Sequence, residues 1–227
     1  MRLLTPLCRV AIALAGVSVP LHAQSADALY AGRSCNQDLA KLRAVAVSDV
    51  VDSAPLAAAL REAADSASPI TKVVLIYDAY GQLSRIKTGG TRSPAADTGL
   101  EREVRAIAKP VTGMPSDFMA TIVRLNRWDV IDISPFPFTC PPRESSTSQA
   151  TGIMREGRRF PSPPPRDAMV QLWLRSSGDV ADAWIVRSAG RRELDSLALT
   201  VVRALQYASP LVGTTPVATL LQVPVRF

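Results

Sequence analysis

The stretch 172-LWLRSSGDVADAWIVRSAG-190 decides the fold. Val170, Leu172 and Leu174 alternate on one face of a strand that starts near Met169. Ser176-Ser177-Gly178-Asp179 is a polar turn, and Gly178 is free to take the positive φ that a tight hairpin needs. "VADAWIVR" from Val180 to Arg187 then returns as the antiparallel partner. Beyond the hairpin, Leu194, Leu197, Ala198, Val201, Val202 and Leu205 fall at helical spacing. Glu193 and Asp195 at the start of that segment suit the positive end of the helix dipole, and Pro210 lies past its end. The chain closes with an alternating strand through Val217, Thr219, Leu221, Val223, Val225 and Phe227. Strand, strand, helix, strand is the unit.

A fainter version precedes it. Ser53 to Ala67 has helical spacing at Leu56, Ala59, Leu60 and Ala63, with Ser53 as cap and Pro55 in the first turn. "KVVLIYD" from Lys72 and "LSRIK" from Leu83 flank a turn holding Gly81. "LEREVRAIAK" from Leu100 to Lys109 reads as a helix stopped by Pro110, and "FMATIVRL" from Phe118 as a strand. Three features align in order between the halves: Gly81 with Gly178, the Leu100 helix with the Leu194 helix, and "ATIV" at Ala120 with "ATLL" at Ala218. An internal duplication follows. The expected fold class is α+β, with two small modules, each a three-stranded antiparallel sheet carrying one helix on a face.

Between the modules, residues 134–166 hold eight of the 18 prolines, with Ser, Thr and Arg among them. Such a composition favours extended backbone without a core of its own, and marks a linker. The first 25 residues have a different layout. Arg2 and Arg9 supply positive charge, Val10 to Val19 is apolar but short for a bilayer, and Ala23 precedes Gln24 at a cleavage-like site. The expected organisation is a signal peptide over 1–23, a helical segment over 24–68, a first module over 69–133, the linker over 134–166 and a second module over 167–227. An uncleaved anchor is the alternative, which the short apolar run and Pro20 disfavour. Loss of Arg2 and Arg9 lowers the formal charge from +6 to +4, too diffuse for a nucleic-acid groove.

Cys8 leaves with a cleaved signal and precedes the apolar run, so it is no lipid-attachment site. Cys35 and Cys140 remain, an even number in an oxidising compartment, and one disulfide is the economical expectation; two free buried thiols are the alternative.

His22 is the only histidine and falls in the cleaved segment, which leaves no Ser-His-Asp triad, Cys-His pair or His-rich zinc site. Gly89-Gly90 is an isolated pair rather than a phosphate loop. Asp129 and Asp132 in "WDVIDI", with Asp179 and Asp182 at the hairpin, are the remaining acid–base candidates, each better read as a solvated strand or turn carboxylate. Trp173 and Trp184 lie on facing strands, where sheet packing is favoured over ligand binding. Arg158-Arg159 and Arg191-Arg192 read as solvent contacts. No catalytic residue, metal ligand or cofactor is expected.

The second module resembles the C-terminal domain of TonB-type energy transducers. The matching pieces are "SSGDV" after the first strand, "IVRSAG" (185–190), "LDSLAL" (194–199), Pro210 and the terminal "VPVRF" (223–227). Departures are Phe160-Pro161 in place of the family's Tyr-Pro and Leu205-Gln206-Tyr207 in place of its Trp-x-Phe. In that family the last strand receives a short peptide of an outer-membrane receptor by strand addition. The resemblance therefore implies a partner-binding edge at Val217, Ala218, Thr219, Leu220, Leu221 and Gln222, a non-enzymatic role in envelope transport and a periplasmic location. Pro224, which lacks an N–H, marks the same strand as an edge. Burial of this edge against the first module in one continuous sheet is the competing arrangement. The family's transducers also keep a membrane helix with Ser and His four apart. Ser18 and His22 have that spacing, with Pro20 between them, so an inner-membrane-anchored transducer is the second functional reading and a carboxylate-based envelope enzyme the third.

Overall fold

Residues 35–145 and 167–227 are described by a computed structural model. They fall within one compact unit, Gly32–Phe227. The expected signal peptide and residues 146–166 of the expected linker lie outside the described residues.

Alternating apolar residues build two separate antiparallel sheets. The first contains β1 (Ile70–Tyr77), β2 (Leu83–Gly89), β3 (Met119–Leu125) and β4 (Val130–Phe136), in the order β2-β1-β3-β4. Further along the chain come β5 (Arg143–Ser145), β6 (Ala168–Leu174), β7 (Val180–Arg187), β8 (Gln206–Ala208), β9 (Leu211–Val212), β10 (Thr215–Pro216) and β11 (Thr219–Val225). The second main sheet has the order β11-β6-β7, while β5 pairs with β8 and β9 with β10. The helices are α1 (Val47–Val50), α2 (Ser53–Ala63), α3 (Pro94–Ile107) and α4 (Arg192–Ala204). This is an α+β fold.

The duplication is visible in topology. In both modules the second strand, the first strand and the next main-sheet strand after the helix lie side by side in that order. Gly81 and Gly178 both take positive φ in the hairpin turns, at 73° and 91°. Each also lies under a carbonyl from the chain just past the module's helix: a Cβ on Gly81 would collide with Val111 O, and one on Gly178 with Tyr207 O. The register departs from the sequence match, however. Ile76 pairs with Met119, and its counterpart Trp173, likewise the last but one residue of its hairpin strand, pairs with Leu220. Met119 thus corresponds to Leu220, and "ATIV" corresponds to residues 221–224 rather than to "ATLL" three residues earlier. Short apolar strings carry too little information to fix a register that hairpin geometry and helix packing determine.

The first sheet has four strands where three were expected. Val130–Phe136 forms β4, so Ser134, Pro135 and Phe136 of the expected linker belong to a strand paired along β3. Proline at position 135 is tolerated because β4 is an edge.

Helix ends also differ from the periodicity. α2 stops at Ala63, because Ala64 forms a β-bridge with Thr91 and the Asp65 carboxylate takes the Ala67 N–H at 2.9 Å. Its N-cap is Asp52 rather than Ser53. α3 starts six residues before Leu100, at Pro94, where the Ser93 hydroxyl accepts the Ala96 N–H at 3.2 Å. α4 gives way after Ala204 to β8, whose pairing with β5 draws residues 206–208 out of the helix.

Each sheet packs a helix face and an opposite face. Val73, Leu75, Tyr77, Ala120 and Ile122 are buried with Leu56, Leu60, Leu100 and Val104 of α2 and α3. Val170, Leu172, Leu174, Val223 and Val225 are buried with Leu194, Ala198, Val201 and Val202 of α4. The faces turned away from the helices meet in a third cluster, where Ile70, Val123 and Leu125 bury Trp173 and Ala218. The two sheets keep separate hydrogen-bond ladders, so the modules join by side-chain packing and not as one continuous sheet.

A disulfide joins Cys35 to Cys140 across 105 residues. Around it, Asn36 N–H donates to Thr139 O at 2.7 Å, the Thr139 hydroxyl donates to Leu39 O at 3.0 Å, and Gly213 N–H donates to the Thr139 hydroxyl at 2.7 Å. Cys140 also bridges to Leu211. One clasp thereby gathers the start of the described chain, the segment after β4 and the β9–β10 turn. Cross-linking so long a loop restricts the unfolded chain, a stabilisation of about 2–5 kcal/mol. The Cys35→Ser/Cys140→Ser double variant is expected to lose stability in that range in urea unfolding; a loss below about 0.5 kcal/mol would contradict this account.

Candidate functional site

An edge strand exposes unpaired backbone groups, and proteins ordinarily cover or charge such edges. The main sheets have four edges: β2 and β4 in the first, β7 and β11 in the second. β2 carries the exposed cations Arg85 and Lys87. On β4 the Asp132 carboxylate takes the N–H of Ile133 at 2.8 Å. On β7 the Asp182 carboxylate takes the N–H of Ala183 at 2.9 Å, and Arg203 donates to the Ala183 carbonyl at 3.3 Å. β11 differs. Among the described residues, the backbone of 221–225 makes hydrogen bonds with β6 alone.

The six residues expected to form the docking edge are not equivalent. Val217 and Ala218 precede β11 and are buried, and Thr219, its first residue, is 3% exposed. The Ser134 hydroxyl of β4 donates to the Thr219 hydroxyl at 3.1 Å, which pins this end to the first module. Leu220 packs partly into the cluster between the sheets and Leu221 partly against the α4 core. Gln222 is exposed, and so is Pro224, two residues beyond the expected segment. The accessible edge is therefore shifted toward the C-terminus of the strand.

The carboxylate candidates are all engaged. Asp129, at a positive φ of 52°, receives Arg124 Nε at 2.8 Å and Arg61 Nη2 at 3.1 Å. Hydrogen bonding from Arg124, then from Arg61, holds its carboxyl below the ordinary value. Asp179 accepts the Ser177 hydroxyl at 2.7 Å in the hairpin turn. Asp182 serves the Ala183 N–H. Asp132 accepts the indole Nε1–H of Trp173 at 3.2 Å as well as the Ile133 N–H. Burial pushes the Asp132 carboxyl above its ordinary 3.8, against the opposing pull of those two donors and of Arg175.

The tryptophans are not cross-strand partners: Trp173 lies opposite Asp182, and Trp184 opposite Gln171. Arg191 and Arg192 occupy the N-cap and first residue of α4, while Arg158-Arg159 lie outside the described residues. Among the described residues no group of acidic, His or Cys side chains is placed to hold a metal, and no helix is long and apolar enough to cross a membrane.

Sequence reasoning missed β4 as an edge partner and the capping roles of Asp132 and Asp182. A signal was present: each aspartate sits one residue before an apolar residue in an edge strand, at Asp132-Ile133 and Asp182-Ala183.

Residues 167–227 match the family model described as the Gram-negative bacterial TonB protein C-terminal. The match spans β6, β7, α4 and the strands through β11. Comparison with curated proteins and with solved structures finds no match.

The Asp132–Trp173 contact has a testable electrostatic consequence. A folded-state pKa above the unfolded value means that the folded chain binds the proton more tightly. That contribution to stability is fully present below about pH 4 and is lost as pH rises through the raised folded value. Unfolding free energies of wild type and Asp132→Asn, measured by denaturant titration from pH 4 to 8, should diverge, with wild type losing ground to the variant as pH rises. A pH-independent difference would show that burial does not govern Asp132.

Proposed function

We propose that this chain is an exported, TonB-like envelope protein whose C-terminal module captures an extended peptide of an outer-membrane partner by strand addition along the outer edge of β11. One observation carries the proposal. In the first module the outer edge of β3, the strand corresponding to β11, is filled by β4 along its whole length, from Met119 opposite Phe136 to Leu125 opposite Val130. Among the described residues, the corresponding edge of β11 has no such strand. The fold thus contains, in one copy, the four-stranded sheet that a docked peptide would create in the other.

The chemistry is that of β-augmentation: backbone pairing supplies affinity and the alternate side chains supply selectivity. Proline on an edge strand places its missing N–H outward. Alternation then turns the outward backbone groups of β11 to Leu220 and Gln222, with Pro224 ending the run of donors. The Leu220 carbonyl is contacted only weakly, by the Thr219 hydroxyl at 3.4 Å. By the sheet correspondence the docking stretch is 220–225, three residues later than the sequence match placed it. The family match supports the transport setting: residues 167–227 cover the whole second module. Periplasmic location and cleavage of the leader belong to the same proposal and rest on the layout of residues 1–25.

Gln222 is exposed and has its backbone turned outward, so Gln222→Pro removes a docking donor while sparing the ladder to β6. Pull-down of outer-membrane receptors from envelope extract should fall tenfold or more, with the thermal midpoint within a few degrees of wild type. Receptor capture unchanged by Gln222→Pro, or no capture by wild type, would remove the strand-addition reading.

A further inference from the structure

On the side of the second sheet opposite β11, a cleft of about 850 Å³ lies between the modules. Its walls come from the end of α2 and residues 64–69, from the β3–β4 turn, from β7 around Trp184, and from Arg203 near the end of α4. Four arginines line it: Arg61, Arg124, Arg127 and Arg203. Among the described residues only two of them have a carboxylate, and they share it, because Arg61 and Arg124 both bind Asp129. Arg127 is exposed and lies 4.8 Å over the Trp128 ring, while Arg203 donates to the Ala183 carbonyl and to no carboxylate among the described residues. The two aspartates in the lining are occupied with backbone N–H groups, Asp65 with Ala67 and Asp182 with Ala183. Even with Asp129 counted, the cleft keeps an excess of positive charge.

The remaining wall is aromatic and apolar. Trp184 is half-buried, and its indole N–H has no partner among the described residues. Two exposed apolar residues adjoin lining residues in sequence, Trp128 next to Arg127 at 54% and Val186 next to Ile185 at 45% exposure. Guanidinium groups bind carboxylates through paired N–H bonds, and a flat indole beside them adds an apolar surface and one more donor.

We infer that this cleft is a second docking site, one that takes an acidic peptide segment in which carboxylates alternate with apolar side chains. The carboxylates meet Arg127 and Arg203, and the apolar residues lie against Trp184. Binding here proceeds through side chains rather than a β ladder, because the N–H and C=O of Ala183 at the centre of β7 are already engaged. The site is independent of docking at β11, since β6 and β7 separate it from that edge.

The test uses the full chain and an octapeptide of alternating Glu and Val, followed by tryptophan fluorescence and by calorimetry at low and at physiological salt. The expected result is saturable binding that weakens with salt and falls at least tenfold in Arg127→Gln/Arg203→Gln. In a Trp128→Phe background, Trp184→Phe should abolish most of the fluorescence change, because the remaining tryptophan, Trp173, is buried. Gln222→Pro should leave this binding intact, which separates its failure from failure of the β11 reading. Should Arg203→Gln impair folding, Arg127→Gln alone, on an exposed turn, is expected to weaken binding at least threefold. Equal binding of the Lys–Val octapeptide, double-variant affinity within twofold of wild type, or preference for an oligogalacturonate over the Glu–Val peptide would each overturn the assignment.

Discussion

The structure depends on burying Trp173 between the two sheets. Each sheet has one face covered by helix, and each would leave an apolar opposite face in water if the modules stood apart. Trp173 resolves this: it is 1% exposed, packs among Ile70, Val123, Leu125 and Ala218, and is the largest fully buried side chain. An indole can be buried cheaply only when its N–H finds an acceptor. Asp132, on the edge strand of the other module, supplies that acceptor while also covering a backbone N–H of its own strand. One carboxylate thus links module association to edge protection, at the cost of its own desolvation.

That arrangement explains why the two modules, alike in strand order, differ at their edges. In the first, the strand after the helix continues through a short turn into β4, and β4 occupies the edge. In the second, the main-sheet strand after the helix is β11, and among the described residues no strand pairs along its outer edge. Charge and side-chain caps guard β2, β4 and β7, yet among the described residues β11 has only Pro224 at its end. An unguarded edge is a liability unless it has a use, so the contrast within one chain says more than the open edge alone. The disulfide clasp holds Leu211 and Gly213, in the chain that leads to β11.

Much of the fold was legible because its determinants are local. Alternation at Val170, Leu172 and Leu174 and the 3.6-residue stripe from Leu194 each specify a buried face independently of partners. Gly178 and Gly81 were legible for the same reason, since a hairpin turn announces itself within four residues. What was not legible was relational. Ser134 to Phe136 read as linker because prolines dominate the composition, whereas pairing to β3 outweighs that bias at an edge. The α4 boundary followed from β5, a strand more than 60 residues away in sequence. Trp173 and Trp184 do lie on paired strands and pack in one cluster, but register sets them two positions apart rather than opposite.

Register matters most at the candidate site. Sequence similarity aligned "ATIV" with "ATLL" and placed the docking edge at 217–222, half of which is buried against the first module. Sheet pairing moves the correspondence by three residues. An odd shift in a strand exchanges its two faces and also its inward and outward backbone groups. Under the sequence alignment, Ala120 on the helix side of β3 would match Ala218, which lies in the cluster on the opposite side. Under the pairing, Ala120 matches Leu221, and both face their helices. Burial patterns on both strands agree with the second alignment alone. The strand edge that remains for a partner is therefore the part of β11 beyond Thr219, where the module's own packing ends.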